Sequence, residues 1–315
     1  MKAAVLTARR AAGLAYVPAP IPAAGQVLVR IEGCGVCGSD LPVWEGRPWF
    51  GYPREPGTPG HEGWGCVELV GEGVARPAVG TRVAGLTCHS YAEYDLADAA
   101  ELVTLPRELA VQPFPGEALG CAINVFRRST IRRGHTVAVV GVGFLGAIIT
   151  QLAARAGAEV LAISRRQTAL RAAVAMGAAA TVALGADTTE RVIELTAGEL
   201  CDVVIEAAGT QRTLDAAAPL TRERGRLIIA GFHQGGVRSV DMQLWNWRGL
   251  DVISAHERDP QRRVSGIREA AAAVAEGRLD PRALYTHSFA LAALGDALRA
   301  ASTRPEGFMK ALIAT

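Results

Sequence analysis

The sequence lacks any long apolar run and any secretory leader. No stretch of about 18 uncharged apolar residues occurs, which is the length that a membrane-spanning helix needs. Residues 1–6 alternate in the manner of a strand and have no basic segment, apolar core and cleavage site in succession. We therefore expect a cytoplasmic protein with no membrane partner.

Cysteine and net charge are both low. The six cysteines are scattered over 315 residues, so they form no disulfide framework, and a reducing compartment suits them. The formal net charge is +2, and the basic residues form no stripe of the kind that nucleic acid requires. No nucleic-acid partner is therefore expected.

The composition and the apolar pattern change along the chain, which predicts two domains. Apolar residues make up 50% of the sequence, which is enough for two separate cores in a chain of this length. The first third is rich in Gly and Pro and carries short β-type runs such as 27–31 and 67–70, which predicts a mostly antiparallel β domain. Further along, apolar runs alternate with Ala-rich segments, which is typical of βαβ units around a parallel sheet.

The predicted fold class is α/β, with a Rossmann doubly wound parallel sheet beside the β domain. Helices are predicted at 144–156 and 167–176, because Gly157 and Gly177 follow them and suit a left-handed C-terminal position. A further helix is predicted at 266–277, and residues 285–315 are expected to return to the first domain. The predicted strands of the parallel sheet are 136–140, 159–163, 203–205, 226–230 and 250–254.

A glycine-rich segment follows the first of these strands. It reads Gly141-Val142-Gly143-Phe144-Leu145-Gly146. In this motif the first glycine permits the tight turn, the second lets the backbone approach a pyrophosphate, and the third lets the helix pack closely on the strand. The helix N-terminus then offers N–H groups to the phosphates. The alternative is a glycine turn without a ligand.

The end of the second strand indicates which dinucleotide would bind. An NAD site normally places an Asp or Glu there, which holds the ribose 2′-hydroxyl. This sequence has Ser164 instead, followed by Arg165 and Arg166. Two guanidinium groups suit a 2′-phosphate, so NADP(H) is favoured over NAD(H). The alternative is that both arginines only begin a solvated helix.

Four residues are candidates for a metal site. Cys37 lies in GVCGSD, His61 and Glu62 lie in PGHE, and Glu117 begins EALGCAIN. Sulfur, nitrogen and carboxylate oxygen together suit zinc. A lone cysteine or histidine is more often structural than a ligand, so the alternative is that Cys37 is a buried thiol and His61 a loop histidine. Spacing in the sequence does not decide whether the four converge.

Together these motifs resemble a known family. GVCGSD at 35–40, PGHEGWGCV at 59–67, EALGCAIN at 117–124, the glycine motif at 141–146 and EAAG at 206–209 occur in the order found in the zinc-dependent alcohol and polyol dehydrogenases. These belong to the medium-chain dehydrogenase/reductase superfamily, and the resemblance extends over essentially the whole chain. It is closest to the sorbitol and threonine dehydrogenase branch, in which a glutamate stands at the position of Glu117.

The resemblance implies a GroES-like catalytic domain at 1–124, completed by 260–315, and a Rossmann domain at 125–259. It implies one catalytic zinc per chain, held by Cys37, His61 and either Glu62 or Glu117. Ser39 is implied to accept the substrate hydroxyl proton, with a turn-capping role as the alternative. Lys310 resembles a basic residue that reaches the cofactor, with surface solvation as the alternative.

One lobe of many relatives is missing. Their four-cysteine lobe, which holds a structural zinc, follows the strand at 80–86, whereas this chain continues directly into TCHSYAEY. A homodimer or homotetramer acting on a small-molecule substrate is expected. The leading hypothesis is a zinc-dependent NADP(H)-linked dehydrogenase for a polyol, sugar-like or other secondary alcohol. The alternatives are a zinc-independent reductase of activated C=C bonds and a non-catalytic NADPH sensor.

Overall fold

The computed structural model describes all residues, Met1–Thr315, and the chain divides into two compact units. The first unit comprises Met1–Gly120 and Asp259–Thr315, and the second comprises Cys121–Arg258. These boundaries lie at 120/121 and 258/259, compared with the predicted 124/125 and 259/260.

The strands are short, as expected for a chain with many turn residues. In chain order they are β1 (Lys2–Ala8), β2 (Ala11–Tyr16), β3 (Gln26–Gly35), β4 (Gly63–Val70), β5 (Arg82–Gly85), β6 (Tyr94–Asp98), β7 (Leu102–Thr104), β8 (Thr136–Val140), β9 (Glu159–Ser164), β10 (Ala180–Ala183), β11 (Cys201–Glu206), β12 (Thr221–Ile229), β13 (Asp251–Ser254), β14 (Tyr285–Ala290) and β15 (Lys310–Ala314).

The chain also forms nine α-helices. In chain order the helices are α1 (Leu41–Trp44), α2 (Gly116–Ser129), α3 (Phe144–Arg155), α4 (Gln167–Ala175), α5 (Thr188–Leu195), α6 (Gln211–Ala217), α7 (Met242–Arg248), α8 (Pro260–Ala275) and α9 (Leu294–Thr303). None of them combines the length and the apolar character that crossing a bilayer requires.

The first unit is built on a seven-stranded sheet and a separate β1–β2 hairpin. Six of the strands run in the order β14-β15-β3-β4-β5-β7, and β6 pairs with β3. All the pairings are antiparallel except β14 with β15. The C-terminal strand β15 thus lies beside β3, with Leu312 opposite Gly35. The expected return of the last segment to the first domain is observed.

Two apolar clusters stabilise this unit. One joins Leu6, Trp44 and Tyr91 to Leu298 and Ile313, so it spans both parts of the chain that form the unit. The other is formed by side chains of the sheet strands, such as Val27, Val67 and Val83. Burial of these side chains supplies the main favourable term for folding of the unit.

The connection between β5 and β6 is short and is held by one buried carboxylate. Asp95, in β6, accepts hydrogen bonds from the backbone N–H groups of Cys88 at 3.2 Å and His89 at 2.8 Å. The hydroxyl of Ser90 donates to the same oxygen at 2.8 Å. A single side chain therefore satisfies the backbone groups that the short connection leaves unpaired.

The second unit contains a six-stranded sheet in the order β10-β9-β8-β11-β12-β13, with every pairing parallel. The order changes direction between β8 and β11, which is the switch point of a doubly wound sheet. The predicted α/β class with a Rossmann sheet is therefore confirmed. Gly157 and Gly177 take φ values of +84° and +96°, as the helix endings predicted.

The structure also corrects two expectations about the elements. The sequence pattern missed β10 (Ala180–Ala183), because this strand is short and only Val182 among its residues is fully buried. Helix α8 begins at Pro260 rather than near residue 266, since Asp259 caps the N–H of Gln261 and Pro260 occupies the first turn. The earlier start brings Arg263 into the helix.

Candidate active site

The loop after β3 fixes the position of Cys37. The buried carboxylate of Asp40 accepts a hydrogen bond from the Cys37 N–H at 3.0 Å, and the N–H of Ser39 donates to the Cys37 sulfur at 3.5 Å. Tyr91, which is fully buried, donates its hydroxyl to Asp40 at 2.6 Å. These hydrogen bonds hold the loop together and attach it to Tyr91 in the core. The sequence reasoning gave no role to Asp40 or Tyr91.

His61 has polar partners at both of its ring nitrogens. Its Nδ1 lies 2.7 Å from the carbonyl oxygen of Pro59 and 3.3 Å from Asp40 Oδ1. Its Nε2 lies 3.3 Å from Ser39 Oγ. Burial opposes protonation of His61, but the charges of Asp40 and Cys37 raise its pKa well above the ordinary value. A carbonyl or carboxylate on Nδ1 leaves Nε2 as the nitrogen that faces a metal.

Glu62 is fully buried and forms an ion pair with Lys310. The Lys310 ammonium lies 2.7 Å from Oε1 and 2.5 Å from Oε2 of Glu62. Burial opposes the charge of Lys310, but Glu62 raises the pKa of Lys310 above the ordinary value. A Cβ on Gly35 would lie 1.8 Å from Glu62 Oε2, so only glycine leaves room for this carboxylate.

Three of the four predicted ligands meet. The donor atoms of Cys37, His61 and Glu62 all lie within 4.8 Å of one another. One thiolate, one imidazole and one carboxylate form the kind of mixed set that a catalytic zinc site uses, with a fourth position left open. The donor chemistry therefore fits a zinc ion.

Glu117 is held elsewhere. It lies in the first turn of α2, and its Oε1 accepts a hydrogen bond from Arg263 at 3.0 Å. It does not belong to the group of donors that converge on Cys37. Arg263 was missed by the sequence reasoning, because it lay outside the predicted helix and is 146 residues from Glu117 along the chain.

The glycine motif of the second unit adopts the predicted strand–turn–helix. Gly141 has φ +100°, and a Cβ there would lie 2.7 Å from the Cβ of Ala208. A Cβ on Gly146 would lie 2.3 Å from the carbonyl oxygen of Gly141, whereas one on Gly143 would meet nothing within 4 Å. No side chain caps the N-terminus of α3, and a helix N-terminus that follows a glycine motif is a common binding site for anions.

The turn against which Gly141 packs is held by Glu206, in the EAAG segment. Oε1 of this fully buried carboxylate accepts hydrogen bonds from the N–H groups of Ala208 and Gly209 at 2.9 and 2.7 Å. Oε2 lies 2.9 Å from His233 Nε2, in the segment after β12. Glu206 thus joins the carboxyl ends of two neighbouring strands, where dinucleotides bind in such sheets.

In sheets of this type, the end of the second strand contacts the ribose of the bound dinucleotide, and β9 is that strand. Ser164 is buried, and its Oγ accepts a hydrogen bond from the Arg166 N–H at 3.3 Å. The Arg166 guanidinium donates to the carbonyl oxygen of Val142, in the glycine motif, at 3.4 Å. Arg165 is exposed. No carboxylate stands at this strand end, and two guanidinium groups flank it.

Alanine substitutions in the glycine motif separate coenzyme binding from folding. We expect Gly143→Ala to fold normally and to weaken NADPH binding by about tenfold or more, because its methyl group occupies the position that a pyrophosphate approaches. We expect Gly146→Ala to lower the melting temperature, since its Cβ overlaps the Gly141 carbonyl.

Fluorescence titration with NADPH and NADH and thermal unfolding measure the two effects. Gly13→Ala, in β2 of the first unit, is the control, because a Cβ there meets no atom within 4 Å. Wild-type affinity for both coenzymes in Gly143→Ala would contradict the assignment of this turn to the pyrophosphate.

Comparisons with known proteins agree with this arrangement. Residues 23–112 match the family model described as the alcohol dehydrogenase GroES-like domain, and residues 145–271 match the zinc-binding dehydrogenase model. D-arabitol-phosphate dehydrogenase of Enterococcus avium is 26% identical over 78% of this chain and 80% of its own. Sorbitol dehydrogenase of Halalkalibacterium halodurans is 26% identical over 87% of this chain and 88% of its own.

A solved structure extends the agreement to the whole fold. A protein of Sinorhizobium meliloti 1021 described as a zinc-binding dehydrogenase, with NADP bound, is 28% identical. It superposes with a TM-score of 0.86 over 100% of this chain and 99% of its own. The protein is therefore an NAD(P)-dependent alcohol oxidoreductase, and the chain belongs to the medium-chain dehydrogenase/reductase superfamily.

Proposed function

We propose that this protein is a zinc-dependent dehydrogenase that transfers hydride between NADP(H) and a secondary alcohol or its carbonyl, with a polyol or sugar-like substrate. The observation that carries the proposal is the convergence of Cys37, His61 and Glu62 within 4.8 Å. Cys37, His61 and Glu62 would hold one zinc ion. When bound, zinc acts as a Lewis acid that lowers the pKa of a substrate hydroxyl or polarises a carbonyl.

Ser39 is the candidate for moving the proton. Its Oγ lies 3.3 Å from His61 Nε2, so the hydroxyl is at the donor cluster. In the oxidative direction the Ser39 hydroxyl accepts the proton that the substrate hydroxyl loses and releases its own proton to solvent, since Ser39 is partly exposed. The carbon that bore the hydroxyl gives its hydride to the nicotinamide, and the alcohol becomes a carbonyl.

Asp40 and Lys310 support the donor groups without taking part in hydride transfer. Asp40 restrains both the Cys37 N–H and His61 Nδ1, which fixes two ligands relative to each other. Lys310 neutralises Glu62 in a buried setting. Such partners of metal ligands set both geometry and affinity. A contact of Lys310 with the coenzyme, which the family resemblance implies, is proposed in addition to its ion pair with Glu62.

The polyol class is supported by the relatives, two of which are named as dehydrogenases of arabitol phosphate and sorbitol. NADP(H) is supported by Ser164, Arg165 and Arg166, and by the NADP in the related Sinorhizobium structure. NAD(H) is the alternative coenzyme.

Self-association as a homodimer or homotetramer is part of the proposal. Strand β13 is an edge of the six-stranded sheet, and an edge strand offers unpaired N–H and C=O groups that an identical strand can pair with. Val252 on this strand and Trp247 in α7 are exposed apolar side chains. Light scattering should give the mass of two or four chains, and a monomer at micromolar concentration would contradict self-association.

Zinc dependence predicts a linked loss of metal and activity. We expect about one zinc per wild-type chain, and Cys37→Ser and His61→Gln should each reduce zinc affinity by about tenfold or more, because each removes one of three ligands. Hydride transfer to NADP⁺ from a panel of polyols should fall in parallel and return when zinc is restored to chelated wild-type protein. Cys88→Ser, at an exposed cysteine outside the cluster, is the matched control.

The alternatives give different results in the same assay. Full activity in metal-free protein, with turnover of activated C=C substrates, would replace the proposal with a zinc-independent reductase. Tight NADPH binding without turnover of any alcohol, carbonyl or enoyl compound would replace it with a sensor.

The coenzyme preference predicts a selective effect of the two arginines. Arg165→Ala/Arg166→Ala should lower kcat/KM for NADP⁺ by about tenfold or more, because charge-assisted hydrogen bonds to a phosphate are lost. The value for NAD⁺ should change far less. Arg171→Ala, at an exposed arginine of α4, is the control. A wild-type kcat/KM with NAD⁺ equal to or above that with NADP⁺ would contradict the proposed preference for NADP(H).

A further inference from the structure

A histidine of the second unit joins a buried carboxylate to an arginine. His233 Nε2 lies 2.9 Å from Glu206 Oε2, and the Arg238 Nε–H donates to His233 Nδ1 at 3.1 Å. A guanidinium only donates hydrogen bonds, so Nδ1 is the acceptor and Nε2 carries the ring proton. Each hydrogen bond then has one donor and one acceptor. We call these three hydrogen-bonded side chains the histidine clamp.

The clamp holds residues 231–238, which follow β12, against the EAAG turn at the end of β11. The Arg238 guanidinium donates to the carbonyl oxygen of Gly209, in that turn, at 3.3 Å. A Cβ on Gly231 would lie 2.2 Å from the Gly209 nitrogen, so the segment packs directly on the turn. The segment is therefore attached to the turn through His233 and again through Arg238.

The two ends of the clamp differ in exposure. The middle of the segment is open to solvent, since Gly235 and Gly236 are exposed and Val237 is 98% exposed. Glu206, in contrast, is fully buried, and its Oε1 also accepts a hydrogen bond from the Thr213 hydroxyl at 2.7 Å. The clamp thus ties an exposed, glycine-containing segment to a fixed point in the core.

The same turn also packs on the glycine motif. A Cβ on Gly141 would lie 2.7 Å from the Cβ of Ala208. In a doubly wound sheet, the two mononucleotide halves of the coenzyme bind on either side of the switch point. Here the switch point lies between β8 and β11, and Ser164, at the strand end that contacts the adenosine ribose, lies on the β8–β9 side. The ends of β11 and β12, which carry the clamp, therefore belong to the nicotinamide half.

We propose that His233 is a positioning residue for the nicotinamide end of the coenzyme. Through Glu206 and Arg238 it fixes residues 231–238 as a preformed wall of the nicotinamide half, so the segment need not be ordered when the coenzyme binds. The clamp lies wholly within the second unit, and its effect on coenzyme binding therefore does not depend on zinc or on the alcohol substrate.

Binding of a whole coenzyme and of its adenosine half distinguishes this role from a general one. The probes are NADPH and 2′,5′-ADP, which has the adenosine half of NADPH and no nicotinamide, and both are titrated by calorimetry. The variants are His233→Leu, His233→Gln, Arg238→Met and the double variant His233→Leu/Arg238→Met, each checked for folding by thermal unfolding. His135→Leu is the matched control, at a histidine beside the amino end of β8, which is the opposite edge of the same sheet.

His233→Leu should weaken NADPH binding by about tenfold, because the freed segment must be ordered on binding, and should change 2′,5′-ADP binding by less than about twofold. His233→Gln should resemble wild type, since its amide can donate to Glu206 and accept from Arg238. Arg238→Met should also weaken NADPH selectively. The double variant should lose much less than the product of the two single losses, because the clamp acts as one unit. His135→Leu should bind both probes as wild type does.

Several results would contradict this role of His233. Unchanged NADPH binding in folded His233→Leu would show that the clamp does not position the coenzyme, and equal weakening of both probes would indicate a general loss of structure. Loss of NADPH affinity in His233→Gln would show that the two hydrogen bonds are not the cause.

Arg238→Met decides the question when His233→Leu fails to fold. Selective loss of NADPH binding in this variant supports the clamp, and wild-type affinity for both probes contradicts it. Absence of NADPH binding by wild type would overturn the proposed coenzyme preference instead, and NADH with 5′-ADP then serves as the pair of probes for the same variants.

Discussion

The buried ion pair between Glu62 and Lys310 is the interaction on which the first unit depends. It joins residues 248 positions apart, one just before β4 and one at the start of β15. Gly35 lies against the Glu62 carboxylate, and the absence of its side chain makes the space. Breaking such a pair leaves one buried charge without a partner, which typically costs about 3–5 kcal/mol. The C-terminal strand is therefore tied to the site by charge as well as by the sheet.

Backbone pairing and buried charges also restrain the candidate site. Strand β15 pairs with the end of β3, where the Cys37 loop begins, and Asp40 closes that loop while it contacts His61. The three donor groups are thus fixed by backbone pairing, a buried carboxylate and a buried ammonium. Preorganised donors need little rearrangement to bind a metal, which favours both affinity and a defined open position.

Much of the fold could be predicted because short sequence patterns indicate its strands and helices. The strand 136–140 was predicted with its observed bounds, and the glycine motif was predicted in its strand–turn–helix context. The apolar runs of a doubly buried parallel sheet are strong signals over a few residues. Strand β10 was missed because it is an edge strand with little burial, and the start of α8 was missed because its first turn is polar.

The sequence by itself determined the family resemblance, the two-domain organisation and the residue types that suit zinc and a dinucleotide. These are properties of short motifs, in which each glycine, cysteine or histidine has a local reason. Only the tertiary structure decided that Glu62 joins Cys37 and His61 while Glu117 turns to Arg263. It also brought Lys310 from the end of the chain to Glu62. Charge pairing across 146 or 248 residues depends on how strands and helices pack, and no local pattern encodes that distance.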